Sequence, residues 1–459
     1  MLDTHQVENQ PPILADFNRF TCDPILNDVI KDETVSWAKN ELIEFGQFLG
    51  QTETIHHGLL ANENIPKLHT HSRQGHRIDL VEFHPSYHYL FSKTVKYGVH
   101  SLPWSKPQPG AHVARAAMHY LAYQVEAGHI CPTTMTYGCV PAMQREPEIS
   151  REWLPKIFSR DYDPSFQPIH KKKSALIGMA MTEKQGGSDV RSNTTTAGAI
   201  GQPGPGKEYY LTGHKWFCSA PMSDAFLILA QTPNGPSCFF VPRWTPDEKL
   251  NRIFIQRLKN KLGDRSNASS EIELKETWGR LIGDEGRGVP IIIEMANYTR
   301  LDCAIAASSI MRWGTAEAIH HCKHRAAFGA ALIDQPIMQR VLADLAIESE
   351  AALRLSLRLA RAYDSQTDEK ETLFRRIATA VAKYWLTKRS VTHAYEAMEV
   401  LSGNGFVEES HFPRLYRQAP LNSIWEGSGN IMCLDVLRAM QKEPKTFEVL
   451  IAEVSLIAC

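Results

Sequence analysis

The chain places its most reactive-looking carboxylate in Asn422-Ser-Ile-Trp-Glu-Gly-Ser-Gly-Asn430, just ahead of the apolar run Ile431 to Met440. Glu426 stands there among small polar residues and glycines at what reads as the start of a helix. Ser428 or Asn430 can cap that helix, because a short side-chain oxygen satisfies its unpaired first N–H groups. Backbone donors would then converge beside an acid able to remove a proton. The same residues also make an ordinary capped helix with an exposed glutamate.

Other stretches carry chemistry of a different kind. Gly178-Met-Ala-Met-Thr-Glu-Lys-Gln-Gly-Gly-Ser-Asp189 leaves an apolar strand. Gly186 and Gly187 permit close backbone approach there, and Thr182 and Ser188 offer hydroxyls, so the loop could cradle a phosphate or a polar ring edge, or form a hairpin turn. His214-Lys-Trp-Phe-Cys-Ser219 sets a Trp and a Phe beside small polar groups, suited to a flat aromatic ligand or to the core of a β domain. His320-His-Cys-Lys-His-Arg-Ala-Ala-Phe-Gly329 gathers cations that could meet a pyrophosphate, with bidentate contacts from Arg325, or simply face solvent. Leu401-Ser-Gly-Asn-Gly-Phe406 is a Gly-rich break between helices, or a C-cap and no more. His69, His71 and His76, with Asp79 nearby, invite a metal check. No second half of a ligand set accompanies them, and they read as surface or loop histidines.

The elements that must position these residues fall into three blocks. A chain of 459 residues suggests about three domain-sized units. With 43% hydrophobic and 22% charged residues, it has the composition of a soluble globular protein. A formal net charge of −1 excludes a bulk polyanion binder, so any nucleic-acid contact would need a local basic patch. The nine cysteines are scattered without a C-x-x-C pair and mostly lie in apolar surroundings, as expected of reduced thiols in a reducing compartment. No secretory signal is visible at the N-terminus, and no apolar run reaches the ~20 residues of a membrane span. These features together predict a cytoplasmic protein without a membrane segment.

Residues 1–175 read as mainly helical, with helices expected over 32–46, 112–128 and 152–158. Residues 176–286 alternate short β-branched and aromatic runs with Gly, Pro, Asn and Asp turns, the pattern of an antiparallel β barrel or sandwich. Residues 287–442 are helical with few breakers, expected as helices over 291–313, 316–328, 336–363, 369–401 and 431–440, which suggests a bundle. Residues 443–459 form a remnant tail, apolar at Val449, Leu450, Val454, Leu456 and Ile457. No G-x-G-x-x-G dinucleotide fingerprint appears.

Taken in order, these motifs resemble the acyl-CoA dehydrogenase flavoprotein family, an α+β multidomain fold with an N-terminal helical domain, a middle β domain and a C-terminal four-helix bundle. Thr182-Glu183 with Gly187-Ser-Asp189 matches the family's T-E-x-x-x-G-S-D loop, and Lys215-Trp216 its flavin-facing strand. Arg325 with Phe328-Gly329 matches the R-x-x-F-G element, Gly403-Asn-Gly405 the Gly-rich turn, and Trp425-Glu-Gly427 the aromatic-Glu-Gly signature. Met181 to Val190, Arg257-Leu-Lys-Asn-Lys-Leu-Gly263, Arg265-Ser-Asn-Ala-Ser269 and Asn422 to Arg438 are similar to the AidB-type adaptive-response branch, whose members are linked to DNA alkylation damage, bind FAD and double-stranded DNA, and form homotetramers.

The resemblance implies roles residue by residue. Met181, Thr182, Gly187 and Ser188 would hold the flavin and its phosphates, and Trp216, Phe217, Cys218 and Ser219 would line the isoalloxazine. Ile424, Trp425, Gly427, Ser428, Gly429 and Asn430 would close over FAD, and Arg325 would reach the FAD of a neighbouring subunit. Glu426 would remove the α-proton of an acyl-CoA thioester while flavin N5 accepts the β-hydride. Some relatives carry the base as a Glu just before an Arg. Here that position is Thr299-Arg300, which favours Glu426. Two departures stand out: Arg417-Gln418 where Arg-Asp is usual, and Pro336 where an adenine-contacting Gln is usual, with Gln335 one place early. The basic C-terminal extension of the branch is absent from this sequence, so duplex DNA binding is expected to be weak. The alternatives are a metabolic short- or branched-chain acyl-CoA dehydrogenase and a DNA-binding flavoprotein with vestigial catalysis.

Overall fold

The computed structural model describes residues 4–365 and 367–457, the last two of these by backbone alone. Cys459 and the side chains of Leu456 and Ile457 lie outside the described residues. The chain divides into two compact units. One is made from the chain up to Ile55, Ala116–Val125 and the chain from Cys303 onward. The other is made from His56–Arg115 and Glu126–Asp302.

The second unit is built around β strands. A hairpin, β1 (Lys67–His71) and β2 (Arg77–Glu82), precedes a seven-stranded sheet: β3 (Ile177–Ala180), β4 (Thr196–Ala199), β5 (Glu208–Ser219), β6 (Ala225–Thr232), β7 (Gly235–Pro242), β8 (Ile253–Leu258) and β9 (Ser269–Ile282). The neighbours run β6, β4, β5, β9, β7, and β7 pairs back onto β6, so these strands close into a barrel, with β3 beside β6 and β8 beside β9. Closure leaves the inward positions to one apolar core, filled by Leu211, Phe226, Ile228, Phe239, Val241, Ile255, Ile272 and Leu281 among others. The antiparallel pattern expected from the turn spacing holds for most pairs. β3–β6 and β4–β6 are parallel, because their connections cross over rather than fold back through a tight turn.

The β1–β2 hairpin corrects the reading of residues 1–175, since it interrupts their helices, and it is where the histidine cluster lies. His69 Nε2 is 2.8 Å from the Glu82 carboxylate across the hairpin. Among the described residues no group of three His, Cys, Asp or Glu could hold a metal. Alternating Lys-Leu-His-Thr-His carries a period of two, but its histidines hide the strand signal because they are neither β-branched nor apolar.

The expected break at Trp313 to Ala316 does not occur, and Gly288–His324 is one helix of 37 residues. Gly314 inside it lets another helix come close: a Cβ there would sit 3.2 Å from Ala397. The other long helices are Pro336–Asp364, Glu369–Val400, Gly429–Lys442 and Lys445–Ile457. Pro336 starts the first of these at a position whose N–H is unpaired in any case. Asp368 caps the second by accepting from Glu371 N. Helix Glu369–Val400 buries Phe374, Ile377, Leu386, Ala394 and, unusually, Lys383. Among the described residues no helix is long and apolar enough to cross a membrane.

Candidate functional site

Strand β5 turns its aromatic pair outward by a bulge. Tyr209, Leu211 and Lys215 point inward, so simple alternation would bury Phe217 and expose Cys218. The register instead slips between Lys215, opposite Ile272, and Cys218, opposite Ser270. One extra residue on β5 brings Lys215 and Cys218 both inward and leaves Trp216 and Phe217 both outside. Phe217 is 52% exposed, and Trp216 is half-buried. The core reading of this pair is thus excluded. Cys218 sits in the barrel core, so its side chain cannot line a ligand outside the barrel and only its backbone remains for that role. Ser219 keeps its hydroxyl 3.3 Å from that of Ser269. The ammonium of Lys259 lies 3.3 Å from the Trp216 ring centroid and 4.6 Å from that of Phe217.

The Thr182 loop is bonded to the same strand. Trp216 N donates to Thr182 O at 2.8 Å, and Asn193 Nδ2 donates to Met181 O at 2.8 Å. Glu183 and Gly186 exchange backbone hydrogen bonds, placing Gly187, Ser188 and Asp189 at an exposed tip. The sequence-level reading passed over the group that anchors all this. Glu183 and Lys215 form an ion pair at 2.7 Å with both side chains fully buried. Glu183 also accepts from Thr194 N and Thr195 N, and Lys215 also donates to Leu229 O at 2.7 Å. Burial alone would raise the Glu183 carboxyl, but the Lys215 ammonium and the Thr195 and Thr194 hydrogen bonds outweigh it and hold the carboxyl at about 2. Burial draws the Lys215 ammonium below its usual range, against the pull of Glu183. The sequence carried the signal in one form only: a lysine at an inward strand position needs a buried acid.

In the helical unit, the chain leaves the short helix Leu421–Ile424 and reverses at Glu426 (φ 58°) and Gly427 (φ 101°) before helix Gly429–Lys442 begins. Glycine adopts such angles freely; a glutamate gives up roughly 1–2 kcal/mol to do so. Trp425 is held by Asn422, whose Oδ1 accepts from the indole Nε1 at 3.1 Å. Asn422 is buried and donates to the Tyr123 hydroxyl, which also accepts from Gln418 at 2.9 Å. Gln418, one of the two departures from the resembled family, thus orients the Trp425 neighbourhood, while Arg417 pairs with Glu408. On the other side, the buried Lys383 ammonium donates to Trp425 O at 2.8 Å and to Gly427 O. Ile424, Ser428 and Asn430 are exposed, and Gly429 is half-buried. The expected cap is corrected here. Ser428 does occupy the N-cap position but makes no side-chain cap hydrogen bond, because an exposed serine loses little by bonding to water instead.

Arg325 begins a two-strand hairpin, β10 (Ala326–Ala327) and β11 (Ala330–Ala331), that turns through Phe328 and Gly329, both at positive φ. That is the type I′ geometry whose twist suits such a turn. Phe328 is held at its tip with no cover from the rest of the chain. Arg325 donates to Asn9 O at 2.6 Å, and the Asn9 side chain exchanges two hydrogen bonds with the Ala326 backbone at 2.7 and 2.8 Å. Gln335, the displaced glutamine, donates to Ala327 O within the same element. The N-terminal arm is therefore a strap on this hairpin. Asn9→Ala is expected to speed amide exchange at Ala326 about tenfold, the equivalent of one or two hydrogen bonds, and exchange at an unchanged rate would show that the strap is loose.

Comparison with known proteins adds to this geometry. Residues 9–164 match the family model described as the adaptive response protein AidB N-terminal domain. Residues 178–277 match the acyl-CoA dehydrogenase middle domain, and 286–441 the acyl-CoA dehydrogenase C-terminal domain. The acyl-CoA dehydrogenase AidB of Escherichia coli (strain K12) is 47% identical over 449 residues, covering 97% of this chain and 82% of that one. Caenorhabditis elegans ACDH-11, solved in complex with C11-CoA, matches with a TM-score of 0.90 at 27% identity, over 99% of this chain and 78% of that one. The apo-form of Bd2924 also matches at 0.90 and 27%, over 98% and 91%.

Proposed function

This chain belongs to the acyl-CoA dehydrogenase family, in its AidB branch, and on that premise we propose that it oxidises an acyl-CoA thioester or a related small molecule with Glu426 as the base. It is an oxidoreductase of an FAD-dependent family. The residues fit such a cofactor: a bulge turns Trp216 and Phe217 out of the barrel beside the hydroxyls of Thr182 and Ser219, as a flat ring with polar edges requires. Met181, Thr182, Gly187, Ser188, Trp216, Phe217, Ser219 and the Cys218 backbone are assigned to it from the barrel unit. Ile424, Trp425, Gly427, Ser428, Gly429 and Asn430 are assigned to it from the helical unit.

The observation that carries the reading is the backbone of Glu426. A non-glycine residue in the left-handed region is a strained conformation of the kind that clusters at functional sites. Glu426 would take the proton on the α-carbon of the thioester, leaving the electron pair of that C–H bond to form the double bond to the β-carbon. FAD, when bound, supplies the two-electron acceptor by taking the β-hydrogen as hydride at N5. The half-buried glutamate, with Trp425 beside it, keeps water from competing for the developing charge. Adding a panel of short and branched acyl-CoAs to the FAD-loaded protein tests this: loss of the oxidised flavin absorbance is expected with at least one of them, and no bleaching with any overturns the dehydrogenase reading.

We further propose assembly into a homotetramer in which Arg325 and the exposed Phe328 meet the cofactor of a neighbouring subunit, and a cytoplasmic role in the adaptive response to DNA alkylation. The AidB N-terminal match supports that role, and the free state of all described cysteines fits a reducing compartment. Duplex DNA binding is expected to be weak and steeply salt-dependent. Four lysines of the two basic clusters are paired with acids: Lys171 with Glu248 at 2.5 Å, Lys172 with Asp224 at 2.7 Å, Lys259 with Glu271 at 2.7 Å and Lys261 with Asp264 at 3.0 Å. That pairing lowers the net positive charge these clusters offer to phosphates. Fluorescence anisotropy with a labelled duplex checks it, and nanomolar affinity at physiological salt would overturn it.

A further inference from the structure

Glu426 and Gly427 are successive left-handed residues, a conformation that costs a glutamate free energy which its surroundings must offset. The constraint comes from helix Glu369–Val400. Lys383, midway along it, is 1% exposed, and its ammonium donates to the carbonyls of Trp425 and Gly427, one residue either side of Glu426. In an extended chain, carbonyls two residues apart are spaced by about 6.6 Å, too far to share one nitrogen at hydrogen-bond distance. Drawing both onto Lys383 forces the residue between them to bend. Charge-assisted bonds of this kind are stronger than neutral ones, so the bend is held firmly.

A buried ammonium is costly to desolvate, and an apolar side chain would fill the same helix position more cheaply if packing were all that mattered. We propose that Lys383 is the positioning residue of the base: by clamping the Trp425 and Gly427 carbonyls it sets the left-handed backbone of Glu426 and so aims its carboxylate. The proposal rests on the reading of Glu426 as the base. Lys383 touches neither substrate nor cofactor in this scheme and acts through the turn that carries Glu426. It differs from a core lysine in what its loss does, since the chemical step slows by far more than FAD retention or half-saturation changes.

The test compares FAD-loaded wild type with Lys383→Met, Lys383→Gln and Lys383→Arg. At saturating acyl-CoA, Lys383→Met is expected to reduce its flavin about a hundredfold more slowly, as misplacement of a catalytic group by an ångström does. Bound FAD and the half-saturating concentration should stay near wild type. Lys383→Arg, which keeps charge and donors, should recover most of the rate. Lys383→Gln keeps donors without charge and should show an intermediate loss; it stands in if the methionine variant does not fold. A wild-type rate in the methionine or glutamine variant, or loss of FAD in step with the rate, overturns the proposal. A crystal structure of the same variant gives a readout without turnover: Glu426 is expected to leave the left-handed region, and an unchanged φ overturns the proposal. If no thioester bleaches the wild-type flavin, the base reading has failed and the crystallographic result alone decides the role of Lys383.

Discussion

Glu426→Gln is expected to retain its FAD and to lose flavin bleaching by isovaleryl-CoA or a similar thioester, with a rate of reduction down by about 10²–10⁴-fold, the range that a positioned general base contributes. The amide keeps the shape of the carboxylate and disturbs neither Trp425 nor its clamp, so the backbone at residue 426 has no reason to move. On the proposed mechanism, what the variant chiefly loses is the acceptor for the α-proton. Stopped-flow absorbance on protein matched for flavin content reads the effect directly. Bleaching within a few-fold of wild type would remove Glu426 from the mechanism. No other carboxylate takes its place at the position where some relatives carry their base, since Thr299 stands there and its hydroxyl donates to Ala296 O.

Glu183→Gln is the second large effect, and it falls on stability. It removes the partner of a fully buried ammonium, and breaking a buried ion pair from one side costs about 3–5 kcal/mol because the remaining charge is left uncompensated. The loop that begins at Met181 hangs on that pair through Thr194 and Thr195, so FAD retention should fall with stability. The pH dependence has a definite sign. The Glu183 carboxyl is held at about 2 in the folded protein, below its ordinary value of 4.5. Its contribution is therefore complete above that ordinary value and is lost as pH falls from there towards 2. The difference in urea midpoint between wild type and Glu183→Gln is expected to be constant at neutral pH and to shrink below pH 4.5. Equal midpoints at neutral pH would show that the pair is energetically idle.

These two residues also show how far sequence reasoning reaches. The proposal for Glu426 starts from a local pattern: an aromatic, a glycine and a small polar residue ahead of an apolar helical run. The outline of the helical unit was legible from periodicity, apart from the join at Gly314 and the hairpin after His324, where the expected helix ran on to Phe328. At Gly314 a residue that usually ends helices serves a close helix contact instead. The β1–β2 hairpin was missed because its polar strand residues resemble a loop. The Glu183–Lys215 pair was passed over although both residues belong to quoted motifs. Nothing local says that a glutamate in one loop and a lysine 32 positions later meet inside a barrel.

The sequence by itself determined the order of helical, β and helical blocks and the family to which the motifs point, because periodicity and short motifs are properties of neighbouring residues. Only the tertiary structure decided which way side chains face. A one-residue bulge put Trp216 and Phe217 outside the barrel and Cys218 inside it. A lysine more than forty positions away from Glu426 took the carbonyls on both sides of it. Register and long-range hydrogen bonds depend on where distant segments close on one another, and that closure is a property of the packed chain that no local stretch encodes.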